Sequence, residues 1–276
     1  MTPIIYKMWD NEASVNEPVP RLELYTPSEC KTDAAILLVP GSAYRHSPDL
    51  PIQEGARVAE SLAGRGINVF VLIYRVGVGG VYPEPLLDGR RAVRYLRHNA
   101  EKFGISPDKI ITLGYSAGGH LCASLVSYHE ELAGEGVDEI DDASYMPNYQ
   151  ALCYPVISFD KTRRYTNCGS VDNLLGEGGM HLADALSFEK TLSAPVPPTF
   201  LFHNFDDRAV GVENTLLYAA RLAEIGTPTE IHIYPDGGHG VGLAVDDKKS
   251  SLHNRDWLDR FVRWLSYYDL LPYGSV

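Results

Sequence analysis

Short β-branched runs alternate with longer amphipathic stretches along most of the chain, a pattern that predicts a mainly parallel sheet covered on both faces by helices. Strands are expected at "RLELYT" from Arg21, "AAILLVP" from Ala34, "INVFVLIYR" from Ile67, "KIITLGYS" from Lys109, "ALCYPVISF" from Ala151, "PTFLFHN" from Pro198 and "TEIHIYP" from Thr229. Apolar residues at helical spacing predict helices near Ile52–Arg65, Pro85–Phe103, Ala117–His129, Glu213–Ile225 and Ser250–Tyr267. Such an alternation within 276 residues makes one α/β domain over 1–276.

Two stretches break the pattern, an acidic one over 130–150 beginning "EELAGEGVDEIDD" and another over 160–190 beginning "DKTRRYTNCGS". Both are too short for a separate domain. They are expected to project over the carboxyl edge of the sheet as a small lid or rim, where ligands enter open α/β folds.

Composition narrows the picture. With 45% hydrophobic residues the chain can bury a sizeable core. Its 24 Lys and Arg against 36 Asp and Glu leave a net charge of −12, which disfavours nucleic acid and anionic membranes as partners and favours a neutral or cationic small molecule. Cys30, Cys122, Cys153 and Cys168 form no C-x-x-C pair, which reads as reduced thiols without metal, with a Cys30–Cys168 bridge left open. The start "MTPIIYKMWDNEASVNEP" lacks a basic segment followed by a continuous apolar one, and no apolar run is long enough to cross a bilayer. A cytoplasmic protein is expected, with a homo-oligomer left open.

The candidate chemistry starts at Gly114-Tyr115-Ser116-Ala117-Gly118, a G-x-S-x-G pattern that a strand enters and a helix leaves. In that context the serine sits on a turn so tight that a Cβ two positions away on either side would strike a neighbouring element. Serine is also an ordinary helix N-cap, so the pentapeptide alone does not decide its role. Partners do. An acid and then a histidine should follow, each after a later strand. Asp206 and Asp207 follow the "FLFHN" strand and His239 follows "EIHIYP" in a "GGHGVG" loop, so the order Ser, Asp, His is met while either aspartate could serve. His203 and His232 lie within strands, where a core role is the ordinary one, and His120 is expected to pack against the sheet.

An oxyanion hole needs backbone N–H groups from the residue after the nucleophile and from a loop after an early strand. These would be Ala117 and, in "VPGSAYRHS" from Val39, Ser42 or Ala43. A Pro-Gly pair marks turns in any protein, so position after the early strand is what favours this reading. H-E-x-x-H, Walker and G-x-G-x-x-G patterns are absent, and no metal or organic cofactor is expected.

On these residues the chain resembles the α/β-hydrolase superfamily, and within it the small bacterial acetylesterases related to acetylxylan and other sugar-ester hydrolases. The likeness runs from "AAILLVPGSAY" through "VFVLIYRV", "KIITLGYSAGGHL", "CYPVISF" and "NLLGE" to "FLFHNFDDRAVGVENTL" and "PDGGHGVGL". The resemblance implies Asp207 as the acid, four residues after His203 and followed by Val210, and His239 as the base. It further implies a serine carboxylesterase acting on short-chain, chiefly acetyl, esters of sugars or oligosaccharides, with Tyr44, Tyr154 and Tyr165 as candidate stacking faces. The same machinery could serve a lipid, lactone or peptide hydrolase or an acyltransferase; a non-catalytic binding protein is disfavoured by the complete Ser, Asp and His set. One departure stands out: relatives carry three glycines before the tyrosine of the oxyanion loop, and this chain reads Gly41-Ser42-Ala43-Tyr44. The Ser42 hydroxyl is expected to add a donor to the oxyanion.

Overall fold

Eight strands, β1 (Ile4–Lys7), β2 (Arg21–Tyr25), β3 (Ala35–Val39), β4 (Asn68–Ile73), β5 (Ile110–Tyr115), β6 (Tyr149–Cys153), β7 (Thr199–Asn204) and β8 (Thr229–Tyr234), form one sheet in the order β1-β2-β4-β3-β5-β6-β7-β8. β2 runs antiparallel to β1 and β4, and from β4 to β8 every pairing is parallel. The helices are α1 (Ala56–Ala63), α2 (Glu84–His98), α3 (Ala100–Phe103), α4 (Ala117–Ser127), α5 (Cys168–Leu175), α6 (Phe188–Thr191), α7 (Glu213–Glu224) and α8 (Trp257–Tyr267). This computed structural model describes residues 1–9, 19–45, 53–193, 196–245, 251–272 and 274. The starts expected for two helices, Ile52 and Ser250, lie outside them.

The central strands are buried on both sides, so they read as continuous apolar runs, and their residues divide by parity between two cores. Ala35, Leu37, Val39, Phe70 and Leu72 face α2, α4, α5, α6 and α7. Ile36, Leu38, Val69, Val71 and Ile73 face α1 and α8. A one-residue slip in any of these strands would exchange the two sets, which fixes the register.

Three expectations are revised. β1, too short and exposed to leave a periodic signal, adds an eighth strand at the edge. The expected helix over Pro85–Phe103 breaks at Asn99 into α2 and α3. The acidic stretch over 130–150 does not rim the carboxyl edge. It follows α4, which returns the chain to the amino edge before β6, and its carboxylates grip a row of arginines on α2. Arg90 and Arg94 pair with Glu135 at 2.8 and 2.9 Å, and Arg91 pairs with Asp138 at 2.5 Å and Asp141 at 3.1 Å. The 160–190 stretch does follow a strand to the carboxyl edge and carries α5 and α6. Among the described residues no helix is long and apolar enough to cross a membrane, and all four cysteines carry free thiols.

Candidate active site

β5 ends at Tyr115 and α4 begins at Ala117, leaving Ser116 alone to turn the chain. Its φ of 52° and ψ of −118° lie where a non-glycine residue is strained, and such strain persists only where surroundings enforce it. The surroundings are backbone. Ser116 N–H donates to the Cys153 carbonyl at 3.0 Å, and the Ser116 carbonyl accepts from Val156 N–H at 3.0 Å. The flanking glycines are steric necessities: a Cβ on Gly114 would stand 2.7 Å from Cys122 Sγ, one on Gly118 would overlap the Val39 and Pro40 carbonyl oxygens, and one on Gly119 would stand 2.7 Å from Pro155 Cβ.

The structure brings Ser116, His239 and Asp207 together from three carboxyl-edge loops. His239 Nδ1 donates to Asp207 Oδ2 at 2.6 Å. Because a carboxylate only accepts, this bond puts the ring proton on Nδ1 and leaves Nε2 to accept from Ser116 Oγ–H at 2.9 Å. Asp207 Oδ1 accepts the backbone N–H groups of Ala209 and Val210 at 2.9 and 3.0 Å. Burial by itself would raise the Asp207 pKa; donation from His203 and His239, the charge His239 can carry and the Val210 N–H outweigh it and hold the carboxyl well below its usual range.

His203, read as an ordinary core residue, supports that acid. Its Nε2 lies 3.0 Å from the Val210 carbonyl and 3.4 Å from Asp207 Oδ2, both acceptors, so it donates there, and Thr215 Oγ1 donates to Nδ1 at 2.7 Å. Asp206 is exposed and points to the same loop as its neighbour by another route, accepting Gly238 N–H at 2.8 Å. Asn204 Nδ2 donates to the Gly238 carbonyl at 2.8 Å and Asn254 Nδ2 donates to Asn204 Oδ1 at 3.1 Å, so the backbone before His239 is held from both its N–H and its C=O. Asp236 turns away, 3.1 Å from His253 Nδ1.

The loop after β3 is held as firmly. Ala43 and Tyr44 adopt φ of 51° and 56°, a left-handed pair in which each Cβ costs about 1 kcal/mol. The bonds that enforce it come from four directions. Gly41 N–H donates to Glu54 at 3.0 Å, Asn173 Nδ2 of α5 donates to the Ala43 carbonyl at 2.8 Å, Gly77 N–H donates to the Tyr44 carbonyl at 3.0 Å, and Tyr44 Oη donates to His120 Nδ1 at 2.8 Å. His120 Nε2 donates to the Leu186 carbonyl at 2.9 Å, its ring lies flat on Phe159, and burial lowers its pKa to about 3, so it is a neutral acceptor for the tyrosine.

Three sequence expectations fail here for one reason, burial. Tyr44 and Tyr154 are fully buried and offer no face to a sugar; Tyr44 is tied to His120, and Tyr154 packs its ring 4.9 Å from that of His239 while its hydroxyl donates to Glu54 at 2.9 Å. The Ser42 hydroxyl is sealed from solvent beside the Tyr74 hydroxyl, so it is not presented to an oxyanion. Backbone N–H groups remain for that role: Ala117, first in α4, has no intrahelical acceptor. Glu54, Asn173, Asn204 and Asn254 were missed in the sequence because each acts on a loop far along the chain, and no local spacing marks them. Among the described residues no cluster of His, Cys, Asp and Glu could hold a metal.

A parallel sheet with a strained serine between β5 and α4, and its acid and histidine after β7 and β8, defines an α/β-hydrolase. The chain belongs to the BD-FAE family, which matches residues 22–222. It is 34% identical over 233 residues to endo-1,4-beta-xylanase B of Butyrivibrio fibrisolvens, covering 83% of this chain and 36% of that one. It is 31% identical over 216 residues to an acetylxylan esterase of Xylanibacter ruminicola, covering 76% of this chain and 42% of that one. It thus spans well under half the length of these two relatives. Among solved structures, the acetyl ester-xyloside bifunctional hydrolase from Caldicellulosiruptor lactoaceticus superposes with a TM-score of 0.85 at 35% identity, covering 97% of each chain.

Proposed function

We propose that the protein is a serine carboxylesterase that removes short acyl groups, chiefly acetyl, from sugars or oligosaccharides. The observation that carries this reading is the continuous relay from Ser116 Oγ through His239 to Asp207, with bonds of 2.9 and 2.6 Å. In it, Ser116 Oγ attacks the ester carbonyl carbon as His239 Nε2 takes its proton, and Asp207 holds the ring and stabilises the imidazolium. The tetrahedral oxyanion is received by the N–H of Ala117 and those of Ser42 and Ala43. Collapse expels the alcohol, which takes the proton back from Nε2 and leaves an acyl-serine. Water, activated by the same nitrogen, then releases the acid and restores the hydroxyl.

The substrate side rests on kinship: two of the relatives are named for acetylxylan or acetyl ester-xyloside hydrolysis. The net charge of −12 supports a neutral substrate. The test is incubation with acetylated and deacetylated xylo-oligosaccharides, with acetate release followed directly. Release from the acetylated sugar by wild type and not by Ser116→Ala is expected; hydrolysis of long-chain acyl esters in preference to acetyl sugars would contradict the assignment.

A further inference from the structure

We propose that Glu54 is a positioning residue that locks the oxyanion loop and the histidine loop to each other beneath Ser116. The proposal rests on the esterase reading above only in giving those two loops their roles.

Glu54 precedes α1 and is 4% exposed. One carboxylate oxygen, Oε2, accepts the Gly41 N–H at 3.0 Å at the start of the loop that carries Ser42 and Ala43. The other, Oε1, accepts the Tyr154 hydroxyl at 2.9 Å, and the Tyr154 oxygen in turn accepts the Gly242 N–H at 3.1 Å, three residues beyond His239. The Gly242 carbonyl accepts from Trp257 Nε1 at 3.0 Å, which ties this end of the loop to α8. One side chain therefore joins the donor loop of the oxyanion hole to the base loop, and does so against the nucleophile: a Cβ on Gly41 would stand 2.7 Å from Ser116 Cβ and 3.1 Å from Glu54 Oε2.

The chemistry selects a carboxylate. The Gly41 N–H and the Tyr154 hydroxyl both donate to it, and an ionised Glu offers acceptors to each, whereas an amide of the same shape must turn its N–H₂ toward one of these donors. Tyr154 keeps its proton, because burial first and the Glu54 charge second push its pKa well up. Tyr154 is also held at φ of 38°, an outlier for a bulky residue, which ties the end of β6 into the same strained assembly. Oxyanion donors act only if they stand in place before the charge develops, and a displacement near 1 Å can cost about 10²-fold in rate. Through these bonds Glu54 fixes the distance between donors and base.

The test compares wild type with Glu54→Gln and, as a second variant that keeps the ring, Tyr154→Phe, each normalised to folded protein by circular dichroism. Two rates are read: the phosphonylation of Ser116 by a fluorophosphonate probe, and kcat and KM on p-nitrophenyl acetate. Glu54→Gln is expected to slow labelling and lower kcat by about 10- to 100-fold with KM changed less than about 3-fold, and Tyr154→Phe to lower both in the same direction by a smaller factor. A purely structural role would reduce the folded fraction and leave both rates per folded molecule unchanged. Labelling by folded Glu54→Gln within 2-fold of wild type overturns the proposal; should that variant not fold, wild-type labelling by Tyr154→Phe overturns it. Failure of acetyl-sugar hydrolysis alone would strike the substrate assignment, because labelling reads the positioning of Ser116 without any natural substrate.

Discussion

The Tyr44 hydroxyl donates to His120 Nδ1 at 2.8 Å, fastening the loop after β3 to the first turn of the helix that Ser116 introduces. The bond requires a neutral imidazole, and burial secures one by lowering the pKa to about 3. In the unfolded chain the same ring titrates near about 6.5. Below that pH the unfolded state takes up a proton that the folded state refuses, so stability falls as pH drops from about 6.5 toward 3, by up to about 1.4 kcal/mol per pH unit. Thermal or urea unfolding between pH 7 and 4.5 should show a steeper loss in wild type than in His120→Gln, by about one proton's worth of slope; parallel curves would refute the assignment.

The adjacent aspartates differ in their partners, His239 Nδ1 for Asp207 and Gly238 N–H for Asp206, and the proposed relay gives only the first a catalytic role. Asp207→Asn is expected to lower kcat by about 10⁴-fold, the cost of losing the tautomer and the ion partner in such a relay. Asp206→Asn keeps an oxygen for Gly238 N–H and should change kcat by no more than a few-fold. The depressed Asp207 pKa adds a second signature: its stabilisation is present above the unfolded carboxyl value near about 3.9 and is lost as pH falls through the lower folded value. Asp207→Asn should therefore lose less stability than wild type on acidification below pH 4, as read by Tm against pH.

Gly118→Ala tests the elbow sterically. The added methyl would overlap the carbonyl oxygens of Val39, the last residue of β3, and of Pro40, the first residue of the loop after it. A loss of about 1–3 kcal/mol in denaturant-derived stability is expected, together with a fall in kcat, because relief must move either Ser116 or the oxyanion loop. Unchanged stability and rate would mean that the turn is looser than described.

Ala43→Gly tests the left-handed pair. Removing the Cβ at φ of 51° relieves about 1 kcal/mol of strain, partly offset by the greater freedom of glycine in the unfolded chain. Stability should hold or rise by up to about 1 kcal/mol by urea titration, with kcat within a few-fold, since Glu54, Asn173, Gly77 and His120 still grip the loop. A marked destabilisation would show that packing of the Ala43 methyl outweighs the strain.

The architecture was legible because a buried parallel sheet writes itself as β-branched runs, and because a strand entering G-x-S-x-G leaves few other folds. The seven expected strands all form, while β1 escaped because four mostly exposed residues carry no period. The lid expectation went wrong over 130–150 through direction: the segment follows a helix running back to the amino edge, and its acidic character answers the arginines of α2. Ser116, His239 and the aspartate pair could be named because their order along the chain is a property of the fold. Tyr44 and Tyr154 could not be placed, since whether a tyrosine faces a ligand or the core depends on packing that no local spacing reports. Glu54 carried no signal at all; its meaning comes from Gly41, Tyr154 and Gly242, which only the folded chain brings to it.

The most direct test of the account is fluorophosphonate labelling of wild type and Ser116→Ala, with the modified peptide identified by mass spectrometry. One phosphonyl group on Ser116 in wild type and none on the variant is the expected result. Labelling that persists in Ser116→Ala, or that falls on another serine in wild type, would contradict the assignment of the nucleophile and with it the relay through His239 and Asp207.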